Sequence, residues 1–234
     1  MPMWRPVRGG NAFEITVARL AQAIRLGLVA AGDRLPPERE LAERLRVSRV
    51  TLRQAIGALR EAGYLESRRG RAGGTFVVHP LPDAGEDSDA AALAKEMGEE
   101  LHDALDFRRV VEAGAANLAA TRALSANQRA YLVGCLTASR ERDVGSRRVN
   151  DSRLHLAIAA ASGCASVATA IADVQLRLDR LLGAIPVIRR NLDHSDAQHT
   201  RIVEAILAGD PAGARTAMEE HCDGTAELLR GLLG

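Results

Sequence analysis

Residues 35–56 constrain this chain more than any other stretch, because their leucine, proline and charge pattern sets two short helices around a tight turn. Pro37 suits a first helical position, where its missing N–H costs nothing, and Glu38 and Glu40 favour the positive end of a helix. Leu41 and Leu45 then point one way, toward a core. Arg46 and Val47 make the turn, and Ser48 is a good N-cap for the second helix. On that helix Leu52, Ile56 and Leu59 form a buried stripe, while Arg49 and Arg53 share another face. This is the layout of a helix-turn-helix whose second helix enters a DNA major groove.

The flanks extend the pattern. Val17, Leu20, Ile24 and Leu28 fall at helical spacing within residues 13–28, so a first amphipathic helix precedes the pair. After a helix stop at Ala62 and Gly63, residues 64–78 read as two short strands. Residues 68–74 between them form a hairpin loop rich in arginine and glycine. Such a loop beside a helix-turn-helix is a wing, its glycines letting backbone approach phosphates and its arginines reaching the minor groove. Charge points the same way: residues 1–80 carry a net +7, whereas 81–234 carry a net −6. Only the basic first third suits a polyanion.

Residues 80–90 are polar, acidic and proline-containing, so 81–98 reads as a linker with a short connecting helix between domains at 1–80 and 99–234. Beyond it no strand pattern stands out. Helical patterns cover 99–123, 126–142, 147–162, 164–183, 195–208 and 211–232, with breaks at Ser125, Gly145, Gly163, Pro186 and 209–211. The expected fold class is mainly α, a winged helix-turn-helix followed by an all-α antiparallel helical bundle. No apolar run reaches the length of a membrane span, and no signal peptide is evident, so a cytoplasmic location is expected. The 3 cysteines are odd in number and widely spread, which does not make a disulfide framework.

The first 80 residues resemble the winged helix-turn-helix of the GntR family of bacterial transcription regulators. Leu35 to Ala42, Val47-Ser48-Arg49 and Arg53 carry that resemblance. The helical remainder resembles the FCD ligand-sensing domain of the FadR-type subfamily. The resemblance implies that Arg39, Arg49, Arg53, Arg69 and Gly70 contact a DNA operator, with Ser48 and Thr51 close by. An arginine guanidinium matches the O6/N7 edge of guanine bidentately. One winged helix reads only a few base pairs, so a homodimer on a pseudo-palindromic operator is expected.

Asp151 and His155 lie four apart and share one helix face. His199 is continued by Ile202, Val203 and Ile206, and His221 lies in a stripe with Met218, Leu228 and Leu232. One carboxylate and three imidazoles would suit Zn²⁺, Ni²⁺ or Mn²⁺ and leave positions open for a carboxylate ligand. The metal-binding form of the FCD domain implies the same four residues. Leu154 and Cys164 depart from the family, which usually has Phe and Asn there. Ser195 and Gln198 read as a capping box that puts His194, a rival ligand, just before a helix starting at 195. Cys222 points about 100° away from His221 and is not expected to ligate. Arg109 matches a family arginine that can face the effector, against a surface pair with Glu112.

These features describe a metabolite-responsive transcription regulator, expected to be a repressor, controlled by a small organic acid near a metal. The alternative is a metal-dependent enzyme using the same Asp/His centre, for which no well-placed general base is found. With Lys95 the only lysine, a pyridoxal-phosphate domain is excluded.

Overall fold

A computed structural model of the chain describes residues 11–25, 28–70, 73–78, 89–141, 143–183, 185 and 188–233. Two compact units form, one within Met1–Gly98, Gly183–Leu192 and Gly224–Gly234, the other within Glu99–Leu182 and Asp193–Asp223.

In the first unit, α1 (Ala12–Arg25) precedes α2 (Glu38–Leu45) and α3 (Arg49–Glu61). Val17, Leu20 and Ile24 of α1, Leu41 and Leu45 of α2, and Leu52, Ile56 and Leu59 of α3 are all buried. Leu28 is not: its N–H donates to Ala23 O at 2.9 Å, and its side chain is 48% exposed. That backward bond carries the chain off the helical path before Leu28 can join the stripe. Pro37 sits at the N-cap of α2, one position before the expected one. Arg46 closes α2 in the left-handed conformation at φ 55, a strained position for a residue with a side chain. Ser48 caps α3 as expected, its Oγ accepting from Thr51 N at 2.9 Å.

β1 (Leu65–Arg68) and β2 (Gly74–Val77) pair antiparallel, with Leu65 opposite Val77 and Arg68 opposite Gly74. Residues 33–35 add a short third arm: Leu35 N donates to Thr75 O at 2.8 Å, and Val77 N donates to Asp33 O at 2.9 Å. The wing is thereby tied to the loop ahead of α2. Residues 81–88 of the expected linker and the break expected at Pro186 lie outside the described residues.

The rest of the described chain is helical. α4 (Asp89–Ala120) begins inside the expected linker; α5 (Ala126–Ala138), α6 (Val144–Ala161), α7 (Ala165–Gly183), α8 (Arg189–Ala208) and α9 (Pro211–Leu233) follow, and the second unit takes the parts of them within Glu99–Leu182 and Asp193–Asp223. Ser125 and Gln128 form a complete capping box at α5. α6 starts at an Asp143 cap rather than breaking at Gly145. α8 starts at Arg189, so Ser195 lies inside it and caps nothing. The core here is alanine-rich: Ala113, Ala116, Ala119, Ala157, Ala161 and Ala214 pack with Leu132, Leu154, Ile158, Ile202, Val203 and Met218. Small side chains let helix axes approach closely, which brings polar groups from several helices within bonding distance of one another.

Within the first unit, Gly231 of α9 lies hard against α1, where a Cβ would overlap Ala18 Cα and Cβ. Gly231→Val is therefore expected to destabilise the full chain by about 1–3 kcal/mol, the usual cost of overpacking. A lower melting temperature and denaturation midpoint, with Gly231→Ala between it and the wild type, are the expected readings.

Candidate functional site

Asp151 and His155 on α6, His199 on α8 and His221 on α9 converge in the second unit. Candidate ligand atoms of the three histidines lie within 4.8 Å of one another. His199 Nε2 is 3.4 Å from His221 Nε2 and 3.5 Å from Asp151 Oδ1, and His155 Nε2 is 3.9 Å from Asp151 Oδ2. All three rings are buried, and the Asp151 carboxylate stays partly open to solvent. The helical spacing of Asp151 and His155 thus places both on one face, as the sequence implies.

Two further charges complete the cluster, Arg108 and a Glu112 that the sequence offered only as a surface partner of Arg109. Arg108 and Glu112, one turn apart on α4, are each only 1% exposed, with Nε and Oε1 3.3 Å apart. Glu112 Oε1 accepts from Gln175 Nε2 of α7 at 2.6 Å, and its Oε2 lies 3.7 Å from the Cys222 thiol. Oε2 is also 2.8 Å from His155 Nδ1, close in distance but off the line that a hydrogen bond needs. Burial alone would raise the Glu112 pKa; Arg108, His155 and Gln175 reverse that and hold the carboxyl well below the usual carboxylate range. Burial pushes the Cys222 thiol up, so it remains a protonated donor and a poor metal ligand.

The tautomer of His221 follows from its neighbours. Arg108 Nη2 lies 3.1 Å from His221 Nε2, and a guanidinium can only donate, so Nε2 is the acceptor. Nδ1 then carries the proton and donates to Gln198 Oε1 at 3.1 Å. Gln198 therefore orients a buried imidazole, where the sequence suggested a helix cap. Burial, then neighbouring positive groups, lowers the His221 pKa well below its ordinary value. Burial likewise lowers that of His199, to about 4 despite the opposing pull of Asp151. Neutral imidazole is the metal-binding form. Both ring nitrogens of His155, Nδ1 of His199, and Nε and Nη1 of Arg108 are buried with no aligned hydrogen-bond partner among the described residues. Such orphaned atoms are costly unless a ligand completes them. The three imidazoles, the Asp151 carboxylate and the orphaned ring nitrogens fit a divalent metal, whereas the guanidinium N–H groups can serve only an anion or another acceptor.

Arg109 lies outside this centre. Its Nε donates to Asp223 Oδ1 at 2.7 Å, its Nη2 reaches Glu219 at 3.4 Å, and its side chain is 42% exposed. One step along a helix turns a side chain by about 100°, which is why Arg108, rather than Arg109, faces the histidines. The expected surface pair of Arg109 with Glu112 does not form, since Glu112 is buried with Arg108. His194 is half-buried on α8, five residues before His199, and is absent from the histidine cluster.

The first unit presents its own surface. Arg39, Arg49, Arg53, Arg69 and Gly70 are exposed, and Thr51 is half-buried. Gly70 sits at the wing tip with φ 102, a conformation that favours glycine. Ser48 and Thr51 bond to each other through their hydroxyls at 2.8 Å. Arg53 Nε stands 3.5 Å from Glu38 Oε2 of α2, both exposed. Arg68 packs over the Phe76 ring at 4.3 Å and bonds Glu66, so it stiffens the wing. Residues 71 and 72 of the loop lie outside the described residues.

Comparison with known proteins separates the same two regions. Residues 14–77 match the family described as bacterial regulatory proteins, gntR family, and residues 103–224 match the FCD domain. RmpR of Mycobacterium gastri, named as a candidate HTH-type transcriptional regulator, is 32% identical over 209 residues, 88% of this chain and 75% of that protein. An Escherichia coli (strain K12) protein named as a candidate L-lactate dehydrogenase operon regulatory protein is 34% identical over 209 residues, 82% of this chain and 76% of that one. The solved structure of E. coli McbR/YncC shares the fold, with a TM-score of 0.51 at 20% identity over 95% of this chain and 98% of that one.

The histidine shifts set a pH dependence. His199 and His221 stay neutral in the folded chain but take up a proton near pH 6.5 when unfolded. Stability is therefore full above that pH and falls as pH drops, by about 1.4 kcal/mol per unit for each histidine, until the folded form itself protonates; for His199 that is near pH 4. Metal-stripped protein should melt lower at about pH 5.5 than at about pH 7.5, and His199→Gln should fall less steeply. Equal slopes for the two proteins would contradict the assignment.

Proposed function

This chain belongs to the gntR family of bacterial regulatory proteins and carries an FCD domain, and we propose that it acts as a metabolite-responsive repressor. It is a transcription regulator, and the relatives it matches are named as regulators rather than enzymes. The proposal divides it into a DNA-binding domain at 1–80, a connector at 81–98 and a sensing domain at 99–234. As a homodimer in the cytoplasm it would bind a pseudo-palindromic operator. Arg39, Arg49 and Arg53 would reach base edges, Ser48 and Thr51 the adjoining backbone, and Arg69 and Gly70 the neighbouring groove. Exposed Phe107, Val110 and Leu176 offer apolar surface that a second copy could cover.

In the sensing domain, Asp151, His155, His199 and His221 would hold Zn²⁺, Ni²⁺ or Mn²⁺. The observation that carries this reading is the clustering of three buried imidazoles, two of them facing the Asp151 carboxylate, with ring nitrogens that lack an aligned hydrogen bond. When bound, the metal would supply an open coordination position for a carboxylate. The guanidinium that would meet the other end of a small organic acid is Arg108, which borders the histidines, whereas Arg109 points to Asp223 instead. The E. coli relative is named for an L-lactate dehydrogenase operon, and lactate is an acid of this class. Binding would act by population shift, which requires different acid affinities in the operator-bound and free arrangements.

Arg49→Ala and Arg53→Ala should each weaken specific operator binding by about 5- to 150-fold in gel shifts, the worth of one bidentate guanine contact, with circular dichroism unchanged. Unaltered shifts on the cognate site would refute the recognition-helix assignment. Metal analysis should find about one ion per wild-type chain and none in His199→Ala. Carboxylates should raise the melting temperature of the metal-loaded wild type by mass action; a metabolite screen without any shift would overturn the sensing role.

A further inference from the structure

The bond between Arg108 and His221 uses an atom that the metal reading also needs. His221 Nδ1 bears the proton donated to Gln198, so Nε2 has the ring's one available lone pair, and Arg108 Nη2 donates into it at 3.1 Å. The same Nε2 faces His199 Nε2 at 3.4 Å, inside the histidine cluster. We infer that Arg108 and a metal ion compete for His221 Nε2, so that loading the centre displaces Arg108 and frees its N–H groups for an anion.

The inference rests on the metal reading above and specifies how that site is regulated. One lone pair cannot serve a guanidinium proton and a metal together. Once displaced, Arg108 remains buried beside Glu112, since the two lie on one helix turn. Its Nε and Nη1 already lack an aligned hydrogen-bond partner among the described residues, and loss of the His221 bond would leave Nη2 short as well. A buried guanidinium in that state favours an incoming oxyanion. Metal would thereby precede acid, and each would raise the affinity of the other, as linkage requires. Without metal, Arg108 supplies the positive charge and the hydrogen bond that hold His221 in its ligand tautomer.

The experiment titrates Zn²⁺ alone into metal-stripped full-length protein by calorimetry, with and without acetate as the anion probe. Arg108→Met should bind Zn²⁺ about tenfold or more tightly than the wild type, the worth of one hydrogen bond from a charged donor, and should lose the acetate enhancement. Arg108→Lys, which keeps the charge but falls one bond short of His221, should also gain Zn²⁺ affinity. If Arg108→Met gains and Arg108→Lys matches the wild type, simple charge repulsion accounts for the effect and competition is overturned. Equal or weaker Zn²⁺ binding by both variants overturns it too. A wild-type measurement guards against misfolded variants: nitrogen NMR should detect coupling across the Arg108–His221 hydrogen bond before Zn²⁺ is added and its loss afterwards. Coupling that survives saturating Zn²⁺ overturns the inference while leaving the metal reading intact; a wild type that binds no Zn²⁺ overturns both.

Discussion

The polar centre of the helical unit is organised around one buried carboxylate. Glu112 is withdrawn from water almost completely, at an effective cost of several kcal/mol for an ion of its kind, and each of its contacts offsets part of that cost. Arg108 supplies the opposite charge from the same helix, Gln175 donates from α7, Cys222 from α9, and His155 approaches from α6. A single anion thus meets side chains from four helices. Apolar residues of equal volume often stabilise a core as well as a buried ion pair does. The retention of ions here is better understood as a property of the site than of the fold.

That arrangement requires closely spaced helices, and the alanines provide them. Ala113 and Ala116 follow Glu112 on α4, while Ala157 and Ala161 follow His155 on α6. Bulkier side chains at these positions would hold the helices apart and leave Glu112 and His155 beyond reach of each other. The apolar layer therefore sets the dimensions of the polar one. Leu154, where a larger ring is common in the family, is fully buried in the same cluster and leaves His155 in register.

The DNA-binding unit was largely legible in the sequence because its determinants are local. Ser48 caps the helix it precedes, Gly63 stops it, and Leu52, Ile56 and Leu59 lie at helical spacing within one short segment. The histidine cluster was legible residue by residue for the same reason: Asp151 and His155 share a turn, and His199 and His221 lie in apolar stripes. What stayed hidden was the relation between helices. α4 bears charged side chains on more than one face, so local pattern could not tell Arg108, which is buried, from Arg109, which meets Asp223. Gln198 shows how a local signal can mislead. With Ser195 it imitates a capping box, but α8 already starts at Arg189, and the amide is engaged by His221 across the bundle.

Arginine, rather than lysine, matters at the centre for a reason that also limits how the site can be switched. A buried lysine can shed its proton, whereas a guanidinium keeps its charge at every accessible pH. Arg108 and Glu112 are consequently both ionised near neutrality and cancel, while burial keeps His199 and His221 neutral. No proton gained or lost by these four side chains near neutral pH can alter the local charge. A species entering from outside can, and the nitrogens of His155 and Arg108 that lack an aligned hydrogen bond are suited to opposite kinds, a lone pair of imidazole to a cation and the N–H groups of guanidinium to an anion. Cation-seeking and anion-seeking groups thus lie side by side in one buried cluster, the combination that the proposed sensing role calls for.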